Sequence, residues 1–263
     1  MDMPFDVTVY LFATLLGLAV GSFLNVLIYR LPRGKKTVLQ RSACPHCGHT
    51  IAFYDNIPLV SYLILLGRCR ACQKPISWRY PLVEALNAAL YLYFLHLDGL
   101  SAAWATHSFL VSALIVIIFI DLEFQIIPDK ITLPVMVVGL AASLLATPPG
   151  IIGALVGLVV GGGALLAVAY LGEWLFKKEA MGGGDIKMAA MLGTFVGWQK
   201  VLVIFLGAAV IGMIVSIVWM LLSRRVRQER IIPFGPFLAA AALLVAAHGD
   251  GILAFYVNTF FRA

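Results

Sequence analysis

The sequence predicts an all-α polytopic membrane protein of about eight transmembrane helices, with one small loop domain outside the bilayer. Three observations carry that prediction. Of the 263 residues, 62% are hydrophobic and only 12% are charged, whereas soluble domains carry about 25% charge. The mean hydropathy is +0.97. The apolar stretches are continuous, and several reach the roughly 20 residues that a helix needs to cross a bilayer. Backbone groups in lipid must be satisfied by helices or by a closed barrel, and continuous rather than alternating apolar runs select helices. Spans are predicted near 7–29, 82–97, 104–120, 131–147, 151–175, 188–198, 201–222 and 232–256.

The first span follows M-D-M-P-F-D. A secretory signal would open with a basic region and close on a small-residue cleavage site, so this run reads as a retained helix. It leads into a basic loop: nine of the 19 Lys and Arg lie from Arg30 to Arg79, and four more lie in S-R-R-V-R-Q-E-R at 223–230. Positive charge prefers the cytoplasm. Loop 30–80 is therefore expected inside, with the N-terminus outside. Alternation through eight spans then puts 121–130, 176–187 and 223–231 inside too. Three regions follow: the first helix (1–29), a cytoplasmic four-cysteine domain (30–81) and a multi-helix membrane domain (82–263). The net charge of +6 is a topology signal, and no nucleic-acid partner is expected.

The loop domain contains C-P-H-C-G-H-T-I (44–51) and C-R-A-C-Q-K-P-I (69–76), which form a weak internal repeat. A domain this small needs a staple. Cys44, Cys47, Cys69 and Cys72 are spaced C-x2-C-x21-C-x2-C, and paired C-x2-C turns deliver the four thiolates of a tetrahedral zinc site. Disulfides are the competing reading, but thiols stay reduced in the cytoplasm. Four thiolates leave no open position, so the zinc is expected to be structural. His46 and His49 read as surface residues.

In the fifth span, Gly153, Gly157 and Gly161 recur every four residues, the spacing of a helix-packing seam. The 188–198 span is short, so it either tilts or continues a helix that starts in the glycines before it. Those glycines belong to M-G-G-G-D-I-K (181–187). Gly182, Gly183 and Gly184 read as an active-site hinge: they give the backbone conformational freedom and also let another segment approach closely.

Acids at the edge of membrane helices are costly and mark function by default. Four of the 13 stand out: Asp121, Glu123, Asp129 and Asp185. Asp121 ends the third span. Glu123, two residues on, faces elsewhere on a helix. Asp129 follows Pro128 and reads as an N-cap of the fourth span. Asp185 opens the sixth helix, where the dipole favours an anion; a linker followed by an N-cap Asp would look the same. Asp121 and Asp185 both map to the cytoplasmic face. Two carboxylates brought together share one proton, the arrangement of an aspartic protease.

G-G-G-D (182–185) fits the G-x-G-D motif of membrane aspartic proteases. With G-S-F-L-N-V-L-I-Y-R-L-P (21–32), the four-cysteine loop and D-L-E-F-Q-I-I-P-D (121–129), the chain resembles the bacterial type IV prepilin peptidases over nearly its whole length. One departure is Gly183, where the family often has a larger residue. The resemblance implies an inner-membrane enzyme with catalytic aspartates at Asp121 and Asp185. It would remove the basic leader of prepilins or pseudopilins after a glycine, on the cytoplasmic side. It also implies zinc at the four cysteines and, in bifunctional members, methylation of the new N-terminus from S-adenosylmethionine. No motif demands that donor. Asn25, Arg30, Asn56, Arg79 and Glu84 are candidate polar groups near the loop, each equally readable as an anchor or cap.

Three alternatives remain at this point. A peptidase without methyl transfer fits the same residues. A cation transporter with broken helices would place its acids near the midplane, whereas these map to one face. A zinc-loop scaffold gives no reason for the acids.

Overall fold

The computed structural model describes residues 6–36, 41–145, 148–178, 181–222 and 233–260. The basic cluster at 223–230 and Glu179 lie outside them. Among the described residues there are α-helices, one 3-10 turn (Phe53–Asn56) and two isolated bridges, Ala43 with Thr50 and Arg68 with Pro75. The helices are α1 (Val7–Arg30), α2 (Val60–Ile64), α3 (Arg79–Asp98), α4 (Ala102–Phe124), α5 (Asp129–Leu144), α6 (Gly150–Phe176), α7 (Gly183–Leu222) and α8 (Gly235–Phe260).

Five of these, α1, α4, α6, α7 and α8, are long and apolar enough to cross a membrane. The chain is therefore a multi-pass membrane protein. At 1.5 Å per residue, the 40 residues of α7 span twice the roughly 30 Å of a bilayer core. The helix is broken at Gly197, whose φ of 80° and ψ of 173° lie outside helical geometry. The two spans expected at 188–198 and 201–222 are the two arms of α7, and the first arm starts earlier, at Gly183. With α7 counted as two arms and α3 and α5 included, the long helical segments among the described residues number eight, roughly consistent with the sequence reading. Helix α4 runs a turn beyond the expected 120, so Asp121 lies inside it.

The backbone divides into two compact units, residues 1–116 and 117–263, with the division inside α4. In the first, α1 packs on α3 through close backbone approach. A Cβ on Gly17 would lie 2.6 Å from the Ala88 Cα, and one on Gly21 would lie 2.7 Å from the Glu84 Cα. This Gly-x3-Gly pair escaped the sequence reading. Asn87 crosses the same interface, donating to the Gly17 carbonyl at 2.8 Å and accepting from Ser112 at 3.0 Å. Tyr91 and Ser112 hydroxyls meet at 3.0 Å, and the Trp104 indole donates to the Tyr91 carbonyl. Each of these buried polar groups is partnered, as an apolar interior requires.

In the second unit, α6 and α7 run antiparallel with their small residues in register. Gly161 faces the Ala189 carbonyl, Gly157 faces that of Gly193, and a Cβ on Gly197 would approach the Gly153 carbonyl to 3.8 Å. A Cβ on Gly157 or Gly193 would overlap the opposing backbone. The expected seam at Gly153, Gly157 and Gly161 is therefore real, and its partner strip on α7 is Ala189, Gly193 and Gly197. Helix α5 packs on the same helix, with Gly139 against Thr194 and Phe195.

These contacts predict an asymmetric response to substitution. Gly157→Leu is expected to cost about 3 kcal/mol or more, whereas Gly163→Ala, which points into open space, is expected to be tolerated. Thermal unfolding of the detergent-purified protein distinguishes the two.

Candidate functional site

Two groups of chemically competent residues stand out. The first is a carboxylate pair in the second unit. Asp121, in the last turns of α4, is only 5% exposed. After α4, Gln125 adopts a left-handed φ of 55° and turns the chain into Ile126, Ile127 and Pro128. Pro128 caps α5. Asp129 is thus the first residue of α5 rather than its N-cap, and its carboxylate takes the Lys187 ammonium at 2.7 Å. Lys187 lies two residues beyond Asp185, so this ion pair ties the start of α5 to the start of α7. Glu123 is exposed and faces away from Asp121, as expected.

Asp185 sits in the first turn of α7, half-buried, and its Oδ1 is buried with no hydrogen-bond partner among the described residues. Its amide donates to the Gly182 carbonyl at 3.1 Å. Asp121 lies close enough to Asp185 for its charge to act on the Asp185 carboxyl group.

Ile127 is the hub of this cluster. A Cβ on Gly184 would lie 2.9 Å from the Ile127 Cβ, and one on Gly235 would lie 3.2 Å from its Cδ1. Gly184 thus serves close approach, while none of Gly182, Gly183 and Gly184 adopts a positive φ. Of the three, Gly184 makes the close approach to another segment; a Cβ on Gly183 would meet nothing within 4 Å, and one on Gly182 only Asp185.

Gly235 opens α8 and was not foreseen. Its amide donates to the Asp121 carboxylate, and a Cβ here would lie 2.5 Å from Asp121 Oδ2. Two helix N-termini, those of α7 and α8, therefore meet two acids, and each positive dipole end favours an anion. The available signal was P-F-G-P (233–236), a glycine held between prolines at a span boundary.

The second group is the sulfur cluster in the first unit. The four cysteines are free thiols, and their sulfurs all lie within 4.8 Å of one another. Cys44 and Cys72 Sγ are 3.8 Å apart, far from a disulfide's roughly 2.05 Å. That separation is the edge of a tetrahedron with metal–sulfur bonds of about 2.3 Å. The internal repeat builds the site. The Cys44 amide donates to the His49 carbonyl and that of Gly48 to the Cys44 carbonyl; the Cys69 amide donates to the Lys74 carbonyl and that of Gln73 to the Cys69 carbonyl. Gly48 and Gln73 occupy the same place in the two turns, with φ of 72° and 57°.

Burial opposes the Cys44 thiolate, but the amides of Cys47 and His46, with neighbouring sulfurs, bring it down to about 7. The Lys74 amide favours the Cys72 thiolate, but desolvation and the other three sulfurs push it up to about 11. Four sulfurs this close repel one another as thiolates, and a divalent cation at their centre removes that repulsion. These residues fit a metal ion. His46 and His49 are exposed and outside the cluster.

Of the remaining polar candidates, Arg30 and Glu84 hold the loop to the helices and Asn25 ties α1 to α3. Asn25 donates to the Tyr80 carbonyl at 3.1 Å, Arg30 donates to those of Lys36 and Arg41, and Glu84 accepts the Leu59 amide at 2.8 Å. The Arg79 guanidinium stacks over Tyr80, and Asn56 is exposed in the 3-10 turn.

The family model of the Bacterial Peptidase A24 N-terminal domain matches residues 15–97, and that of the Type IV leader peptidase family matches residues 108–217. Similar proteins include the Prepilin leader peptidase/N-methyltransferase of Aeromonas hydrophila, 37% identical over 94% of this chain and 93% of that protein. The protein of the same name from Pseudomonas aeruginosa is 37% identical over 93% and 92%. That of Myxococcus xanthus is 42% identical over 81% of this chain and 64% of its own length. No solved structure matches the chain.

The cysteine geometry predicts that replacing Cys47 and Cys72 together by Ser lowers bound metal from about one ion per chain to background. Elemental mass spectrometry of the purified protein checks this.

Proposed function

The chain belongs to the type IV leader peptidase family, and from that premise we propose that it is a bifunctional inner-membrane enzyme. Its first activity is aspartic endopeptidase cleavage of prepilin or pseudopilin leaders, after a glycine at the cytoplasmic face. Its second is methylation of the new N-terminus. The observation that carries the peptidase reading is the pairing of Asp121 with Asp185. Two acids far apart in sequence, each at a helix end, share the junction built by Ile127, Gly184 and Gly235.

In this mechanism one carboxyl group of the pair keeps a proton and the other is ionised. The ionised group takes a proton from water as the water oxygen attacks the scissile carbonyl carbon. The protonated group gives its proton to the carbonyl oxygen. Collapse of the tetrahedral adduct then breaks the C–N bond, and the departing amine takes up a proton from the pair. The Gly235 amide holds Asp121 in position throughout. The Oδ1 of Asp185, without a hydrogen-bond partner among the described residues, is an acceptor for the water or the substrate.

Zinc is the ion we assign to Cys44, Cys47, Cys69 and Cys72, where it organises the loop and takes no part in cleavage. The methyl donor is S-adenosylmethionine, as the relatives' names imply. The partners are prepilin or pseudopilin substrates and membrane lipid.

Mass spectrometry of a prepilin incubated with the purified enzyme tests both activities. The leader is lost in either case, and one methyl is added only when S-adenosylmethionine is present. Asp121→Asn and Asp185→Asn are each expected to lower cleavage by ~10^2–10^4-fold while the protein still inserts. Full cleavage by both variants overturns the mechanism. Gly235→Val, which drives a side chain into Asp121, is expected to slow cleavage about 10^2-fold, measured under the same conditions.

A further inference from the structure

The segment between the two metal-binding turns carries an apolar face that the described residues leave uncovered. Phe53, Leu63, Ile64 and Leu66 are 83%, 70%, 70% and 85% exposed, and Trp78, just before α3, is 68% exposed. A patch of this kind on a water-facing module is an interaction surface or an aggregation liability.

Its depth says what covers it. Leu59, at the start of α2, has a left-handed φ of 59°, and its amide is fixed to Glu84 Oε2 at 2.8 Å. Glu84 lies five residues into α3, about 7.5 Å along the axis from Arg79. Helix α2 is therefore clamped beside the first turns of α3 and is not carried out on the metal-binding turns. Arg79 and Tyr80, stacked at the start of α3, are residue types that mark a membrane–water boundary. Amphipathic segments bury their apolar face about 5–10 Å past that boundary.

The charge agrees. Residues 31–78 carry seven Lys and Arg against one acid, Asp55. That acid is engaged by Arg70 at 2.7 Å, and the guanidinium holds it below the ordinary carboxylate range. An apolar face set in an excess of positive charge complements an anionic leaflet.

We infer that residues 53–66 and Trp78 form an interfacial foot that lies in the anionic leaflet of the membrane the chain crosses. The foot fixes the height of the metal-binding turns above the bilayer. This inference stands whether or not the proposed activities hold.

The test uses the full chain in nanodiscs, either of phosphatidylglycerol with phosphatidylethanolamine or of phosphatidylcholine alone. Photoreactive benzoylphenylalanine replaces Leu63, Leu66 or, as a control on the first metal-binding turn, the exposed His46. Mass spectrometry after illumination identifies what each position touches. Phospholipid adducts at 63 and 66, several-fold above those at 46 and more abundant in the anionic discs, are expected. Adducts to a second copy of the chain, equal lipid adducts at all three positions, or equal yields in the two lipids would overturn the inference.

Discussion

The contact on which the second unit depends is that of two backbones meeting without side chains between them. Where Gly157 of α6 faces Gly193 of α7, there is room for neither helix to shift or turn. In lipid, apolar side chains gain little by leaving their surroundings, so close van der Waals packing of small residues does what the hydrophobic effect does in water. The register runs from Gly153 with Gly197 to Gly161 with Ala189, one residue from Met188 at the core. It fixes where α7 begins, and so where Asp185 stands. The carboxylate is held by glycines that never touch it.

The same economy of side chains recurs at the site. Gly184 and Gly235 press on Ile127 from two helices, and the Gly235 amide reaches Asp121 because no Cβ stands in the way. Both acids lie at helix starts that face them with unsatisfied N–H groups. An apolar surrounding would otherwise make a carboxylate pair prohibitively costly. The paired helix ends lower that cost, and among the described residues the Lys187 charge is spent on Asp129.

Much of this was legible in the residue order. Continuous apolar runs gave the helices, and C-x2-C repeated twice gave the sulfur cluster, because both signals are local. Asp121 and Asp185 were legible because an acid beside an apolar run is rare enough to stand out. What escaped depends on contacts between segments. Gly235 looks like any span-opening glycine until Asp121 is beside it. Asn87 reads as one polar residue in a span until Gly17 and Ser112 are found around it. Asp129 resembled a cap because Pro128 precedes it; that Pro128 itself takes the capping position is a matter of backbone angles, which residue type does not fix.

The two sulfur-bearing turns share a shape but not a composition. Gly48 enters its left-handed conformation freely, whereas Gln73 does so with a side chain attached, at a cost of roughly 1–2 kcal/mol. Chelation would therefore not dissolve the module evenly. The Gln73 turn would relax first, and it is the one that carries Arg70 and its grip on Asp55. Loss of an ion bound there would thus reach the exposed apolar face through the Arg70 guanidinium on Asp55, which would make the metal a clasp on that face as well as a scaffold.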